Sequence, residues 1–485
     1  MTRAVLSRLD KHRIPLVPLF AVALGVLAGG LCAFNALLGL IVIGAGVVIV
    51  VLDLLFFKNG RLSLDRIVIP LLIVAVLCPG IRLLNGVPAV RLELVIIVIA
   101  WLLLLLGSLS AGTALRLRWN PTNKWFLLFG LVILVSIACA AFVRRYYPIG
   151  RDFWEFAKLI EYFLIFALVS SLRVPAERIG RYYVIALLVF LVSAAVGFAQ
   201  YVNLFNINSI VTPYYAPTQL AGVVKAGRIV GTAGNPNAFG ALMVLPASLA
   251  LTGAVWLESR RIRLASWGAF LLFVLAIVLT LSRSAVLSLG VACCFILFFK
   301  YLASFGLART IRMLCFALPA LLVLVLIVIQ LAPETFFSRL GGLTNLSAAT
   351  SWQARLAIWN DQLAVWRQSP FVSWGPGKIT MATTIDSEWL LLLRRYGALG
   401  VAVFILWFIG IYRTLSRVSR DNTNPYTKTL CVALQATLLA YAVFMIPAGV
   451  YHNLHLMPIL LLFLGVAYSQ RSPSTEVSEA CNREY

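Results

Sequence analysis

The stretch from Gly227 to Gly240, GRIVGTAGNPNAFG, sets a guanidinium, several glycines and two asparagines directly before a long apolar run. A helix N-terminus with unsatisfied amides beside Arg228 is suited to an anion, and Asn235 and Asn237 add neutral hydrogen-bonding groups. The same residues also suit a plain helix start, with Asn235 as the cap and Pro236 at the first helical position. A second cation, Arg283, sits in the tight turn LTLSRSAVL between two apolar runs, with almost no loop to solvate it. Guanidinium groups stay protonated and grip phosphate oxygens in pairs, so a phosphate-bearing ligand is the chemistry they fit. A side chain snorkelling from a helix end is the structural alternative for Arg283.

Two carboxylates, Asp386 and Glu388, open the run IDSEWLLLLRRYGALG, which reads as a short helix that breaks at Gly397 before the next span. A partly buried carboxylate can take a proton from a hydroxyl; alternatively Asp386 or Ser387 caps a helix whose first turn holds Glu388. His452 and His455, in VYHNLHLMP, could act as bases near neutral pH or sit at a membrane boundary. Upstream, the segment 332–385 carries Arg339, Arg355, Arg367 and Lys378. Within it Trp352, Leu356, Trp359, Leu363 and Trp366 recur at helical spacing until Ser369-Pro370, which predicts an amphipathic helix of about 18 residues. Its tryptophans would pack on the membrane interface or bundle, or stack on a sugar. Arg355 and Arg367 lie off that stripe. Trp374 follows in the turn FVSWGPGK, and Arg144, Arg145, Arg151 and Lys225 add further cations away from basic turns.

Membrane-spanning helices must position all of these groups. The chain is 62% hydrophobic and 12% charged, with mean hydropathy +0.97, too little charge to clothe a soluble domain of 485 residues. Apolar runs long enough to cross about 30 Å of hydrocarbon recur roughly fourteen times, at about 15–33, 36–57, 66–81, 92–111, 124–143, 154–172, 182–202, 237–256, 264–281, 284–300, 312–331, 396–412, 429–447 and 452–469. Counted alternately from a cytoplasmic basic N-terminus, the even-numbered turns hold Lys58, Arg61, Arg116, Arg118, Arg178, Arg181, Arg260, Arg261, Arg309, Arg413 and Arg417. The rule that cytoplasmic turns are basic therefore orients the chain with both termini cytoplasmic. Arg228, Arg283, Asp386, Glu388 and His452 then share the opposite, far side.

Orientation and attraction to anionic headgroups account for most of the net charge of +23, so no nucleic acid partner is invoked. The eight cysteines form neither a disulfide framework nor a zinc-ligand spacing. The first apolar run lacks a convincing cleavage site and reads as an uncleaved anchor.

The order of these motifs resembles the O-antigen ligase and polysaccharide polymerase superfamily. That order is a stretch ending GTAGNPNAFG before a span, an LSRSA turn, a large arginine-bearing loop with a Pro-x-x-x-Trp-Gly-x-Gly turn, and Asp-x-Glu-Trp-Leu before a Gly-x-x-Gly span. The resemblance covers about 225–412. It implies an all-α polytopic bundle of about 12 to 14 spans: N-terminal helices over 1–224, a polymerase-like or ligase-like core over 225–412 with a periplasmic loop over 332–385, C-terminal helices over 413–470 and a polar cytoplasmic tail over 471–485. RDFWEFAKLIEYFLIF, about 151–166, is similar to the segment preceding that core in exopolysaccharide and capsule polymerases.

By that resemblance the protein is a glycosyltransferase of the bacterial inner membrane, with its site at the periplasmic face. The donor is a glycan on polyprenyl pyrophosphate, no cofactor or metal is needed, and a chain-length regulator is a further partner. Arg228, Arg283, Arg339 and Arg355 would neutralise the departing pyrophosphate, while Asp386, Glu388 or His452 would handle the acceptor hydroxyl. Asn235, Asn237, Arg151, Arg367, Lys378 and Trp374 would contact substrate. Ligases of this type carry a histidine in the loop or its exit helix; here none lies between His12 and His452, and Asp386-Ser387-Glu388 stands where His-Asn is expected. Polymerase is therefore favoured over ligase. A lipid-linked glycan flippase, the reading from another class, would need mid-membrane charges and a repeated hydropathy pattern.

Overall fold

The computed structural model describes residues 67–80, 91–110, 120–146, 148–172, 174–216, 227–299, 350–377 and 385–471. The expected spans 15–33, 36–57 and 312–331 lie outside the described residues. Twelve helices are numbered here: α1 Val68–Leu77, α2 Leu92–Ser110, α3 Asn123–Phe142, α4 Gly150–Ser171, α5 Ala176–Tyr201, α6 Pro236–Trp256, α7 Arg260–Leu279, α8 Arg283–Phe299, α9 Thr350–Arg367, α10 Glu388–Asp421, α11 Pro425–Phe444 and α12 Leu456–Ser469. No strand occurs among the described residues. Six helices, α3, α5, α6, α7, α10 and α11, are long and apolar enough to cross a membrane, and α1, α8 and α12 are shorter apolar helices.

Almost every residue of α6 is buried. It packs on α5, α7, α11 and α12. Pro236 opens α6 and Asn235 caps it, its side chain accepting from the amides of Asn237 (2.8 Å) and Ala238 (3.4 Å). Ser248 and Thr252 return their hydroxyls to carbonyls one turn back, at 2.8 and 2.6 Å, so this buried helix presents no unpaired hydroxyl there.

The expected amphipathic helix is α9, 18 residues ending at Arg367 just before Ser369-Pro370. It lies against α10. The break expected at Gly397 takes the form of a kink inside a single 34-residue helix, α10, with Gly397 at φ 70°. At that point Ala398 N and Leu399 N donate to Pro370 O (2.8 Å) and Phe371 O (3.2 Å), tying the segment after α9 to the kink.

The two ends of the bundle differ in character. At one end Asn424 Nδ2 donates to Ala176 O (2.8 Å), Gln470 Nε2 to Val174 O (2.7 Å) and Thr122 Oγ1 meets Tyr468 Oη at 2.7 Å. This end carries the basic turns with Lys124, Arg178, Arg417 and Lys428. At the other end meet the starts of α4, α6, α8, α10 and α12, which carry the candidate chemistry.

Candidate active site

Glu388 opens α10 and is fully buried. The preceding Ser387 caps the helix by accepting from Leu390 N, and Glu388 N donates to Met445 O at 3.0 Å. The carboxylate is held by the turn between α11 and α12: Val450 N and His452 N donate to Oε2 at 2.8 and 3.2 Å. Oε1 contacts Nδ1 of His452. A carboxylate that accepts two amides in a fixed turn is rigid, and it assigns the proton on the imidazole to Nδ1.

The opposite nitrogen, Nε2, lies 3.0 Å from Glu155 Oε2 and 2.7 Å from Arg395 Nη1. Glu155 comes from α4, is 1% exposed, and also meets Arg395 Nη1 (3.2 Å) and Lys158 Nζ (3.5 Å). His452 is thus held edge-on between two carboxylates, with two cations balancing them. Its side chain keeps 15% exposure, enough to meet a ligand from the bundle end. The aromatic wall behind it is Tyr451, whose ring packs edge-to-face on Phe129, Phe404 and Tyr162.

Glu155, Lys158 and Arg395 complete this site, and no role had been assigned to them from the sequence. The available signal was a Glu-x-x-Lys-x-x-Glu spacing, Glu155, Lys158 and Glu161, in a helix otherwise apolar enough to be taken for a span. Asp386 is elsewhere. It is half-exposed and paired with Arg355 Nε at 3.1 Å, so the expected base and one expected pyrophosphate cation engage each other.

A second set of groups assembles around Arg228. The segment before α6 is pinned to α5 by Gln200, whose Oε1 accepts from Val230 N (3.1 Å) and Gly231 N (2.8 Å) and whose Nε2 donates to Gly231 O (3.1 Å). Ser193 and Thr232 add a 2.7 Å hydroxyl pair. Arg228 Nε then donates to Thr280 O (2.8 Å) and Nη2 to Asn237 Oδ1 (3.0 Å). Thr280 caps the C-terminus of α7 and the same turn delivers Arg283, exposed, at the start of α8. The structure therefore brings Arg228, Asn237 and the Arg283 turn together, while Asn235 serves as the cap.

Arg367 is exposed at the end of α9. The backbone of Arg151 lies in the first turn of α4, and Arg339 and Lys378 lie outside the described residues. Trp374 donates its Nε1 to Val365 O (3.2 Å), and its ring carries Arg144 and Arg394. In this structure the ring therefore meets guanidinium groups. Among the described residues no group of His, Cys, Asp and Glu is disposed to hold a metal ion.

Residues 268–390 match the family model described as O-antigen ligase. This segment is similar to the O-antigen ligase family. It begins within α7, contains Arg283 and α9, and ends at the third residue of α10, so its last residues carry Glu388. The match supports a membrane glycan-processing function of the ligase and polymerase group. Comparison with curated proteins gives no match.

Proposed function

We propose that the protein is a polysaccharide polymerase that joins oligosaccharide repeat units carried on polyprenyl pyrophosphate, at the outer face of the bacterial inner membrane. The observation that supports glycosyl transfer is His452, seated between Glu388 and Glu155 where the family match ends, and the choice of polymerase rests on the absence of a histidine from the segment 332–385. In the reaction the acceptor hydroxyl oxygen bonds to the anomeric carbon of the donor as the bond from that carbon to the pyrophosphate oxygen breaks. The electron pair leaves with the polyprenyl pyrophosphate. The hydroxyl proton passes to the Nε2 edge of His452, in place of the Arg395 contact, and the imidazolium is stabilised by Glu388.

Arg228 and Arg283 neutralise the charge that gathers on the departing pyrophosphate, an electrostatic task suited to preorganised guanidinium groups. Asn237 and Thr280 O hold Arg228 in place for it. Arg339 is a further cation for the same task, and Arg355 joins when it releases Asp386. Pyrophosphate is a good leaving group, so acid assistance is not required. Asn235 supports the clamp as the cap of α6, and Arg151, Arg367 and Lys378 remain proposed contacts for glycan. A chain-length regulator remains a proposed partner.

One observation favours a ligase as the second reading. His452 reaches the start of the loop's exit helix from the last span, and so supplies in space the histidine missing from the loop. The deciding experiment uses purified protein in liposomes with the polyprenyl-pyrophosphate repeat unit alone, then with lipid A core added. A product ladder from the repeat unit alone, lost in Arg283→Ala, supports the polymerase. A single transfer that requires lipid A core replaces it with the ligase, and transfer to neither acceptor overturns both.

A further inference from the structure

Trp374 is the meeting point of two cations that the proposed chemistry does not use. The Cζ of Arg144, just beyond the end of α3, lies 4.4 Å from its ring centroid, and that of Arg394 from α10 lies 5.9 Å away. The ring itself is fixed: beyond the bond from its Nε1 to Val365 O, the next residue, Gly375, donates its amide to Arg395 O at 2.9 Å. Ser136 Oγ from α3 donates to that same carbonyl at 2.7 Å. Helix α3, the segment after α9 and α10 therefore converge here with little freedom.

The charges do not balance. Arg394 is 4% exposed, yet its Nε and Nη1 have no acceptor, and neither does the Nε of Arg144. The cationic neighbours of Arg394 are Arg395 and Arg144. Arg395 is offset by Glu155, but among the described residues no carboxylate pairs with Arg144 or Arg394. An aromatic face attracts a guanidinium but cannot accept its remaining hydrogen bonds, so part of the desolvation of two cations stays uncompensated. The missing partner is an anion with several acceptor oxygens in a compact array, which describes a phosphate ester or a pyrophosphate.

We infer that Arg144, Arg394 and Trp374 form a second anion site, built from none of the residues around Arg228 and Arg283, that takes a phosphate or pyrophosphate group. Its occupant rests on the reading of the protein as a polymerase, which must hold two pyrophosphate lipids at once. The neighbour of Arg394 in sequence is Arg395, which touches His452, so the site adjoins the proposed base. A phospholipid headgroup is the other source of the same chemistry.

The test counts bound inorganic pyrophosphate by equilibrium dialysis of the full chain in phosphatidylcholine nanodiscs. Two sites are expected in the wild type and one in Arg144→Gln/Arg394→Gln. The single variant Arg144→Gln, at a partly exposed position, guards against misfolding and should weaken one site about tenfold, the worth of one charged hydrogen bond. An unchanged count and affinity in these variants overturns the second site. Nanodiscs containing phosphatidylglycerol separate the sources: displacement of pyrophosphate from this site alone marks a lipid headgroup as its occupant, and retention marks a pyrophosphate ester, both consistent with an anion site. Arg228→Gln/Arg283→Gln tests the clamp separately. If that pair leaves both sites intact, the clamp fails and the second site stands.

Discussion

Glu155 Oε2 lies 3.0 Å from His452 Nε2, while Glu388 meets Nδ1 on the other edge of the same imidazole. The two carboxylates are not equivalent. Glu388 is locked by two backbone amides of the turn that carries His452. Glu155 instead divides its oxygens among side chains, Lys158, Arg395 and His452, all of which can rearrange when a ligand arrives. Glu388 is therefore the orienting partner and Glu155 the adjustable one.

Glu155→Gln keeps the shape and removes the charge. It should lower kcat by about 100-fold, the lower end of what assisted proton transfer contributes, with KM for the lipid-linked donor changed less than about twofold. Transfer assays in liposomes check this. A parallel rise in KM without a fall in kcat would show that Glu155 only shapes the binding surface.

Glu388→Ala has a different signature, because it strands two amides and one imidazole nitrogen in a buried turn. Removing one partner of such a buried network costs about 3–5 kcal/mol, so the variant should show a clear loss of thermal stability in nanodiscs as well as of activity. Glu388→Gln retains an acceptor for the amides and should recover most of the stability while remaining slow. Stability equal to wild type in Glu388→Ala would show that the turn between α11 and α12 is held by other contacts.

What could be read ahead of the structure follows the range of each interaction. Helix α9, the cap at Asn235 and the break at Gly397 are encoded within a few residues, in tryptophan spacing, an asparagine before proline, and a glycine in an apolar helix. The placement of Glu155 is not, since α4 has to pack on α12 before its carboxylate faces His452. Arg355 and Asp386 show the same limit from the other direction. Each has the right residue type for the task expected of it, and only the folding of α9 toward the start of α10 pairs them. Trp374 lies in a segment read as a turn, but the arginines on its ring come from just beyond α3 and from α10.

The Arg355 and Asp386 pair distinguishes a latch from a catalytic cation. Both groups are substantially exposed, so the pair is worth about 0–1 kcal/mol and is screened by salt. Arg355→Ala should leave thermal stability nearly unchanged. If Arg355 leaves Asp386 to meet pyrophosphate, the same variant loses about tenfold or more in kcat/KM, and the charge swap Arg355→Asp/Asp386→Arg does not restore it. Full recovery by the swap would assign the pair to holding α9 against α10.

Gly397 sits where α10 kinks, at φ 70°, a conformation that L side chains rarely adopt. A Cβ there would also run into the carbonyl of Phe371, in the segment that bonds Ala398 and Leu399. Gly397→Ala combines backbone strain with a steric conflict and should destabilise the protein by about 1–3 kcal/mol. The consequence for activity follows from the register of the helix: Arg394, Arg395 and Glu388 all lie in the turns before the kink, so straightening α10 moves them relative to His452 and Trp374. The variant should therefore lose activity more steeply than stability, with the shortfall persisting at temperatures where it remains folded. Activity and thermal unfolding measured on the same nanodisc preparation check this, and a loss of activity that tracks only the folded fraction would mean that the kink serves packing alone.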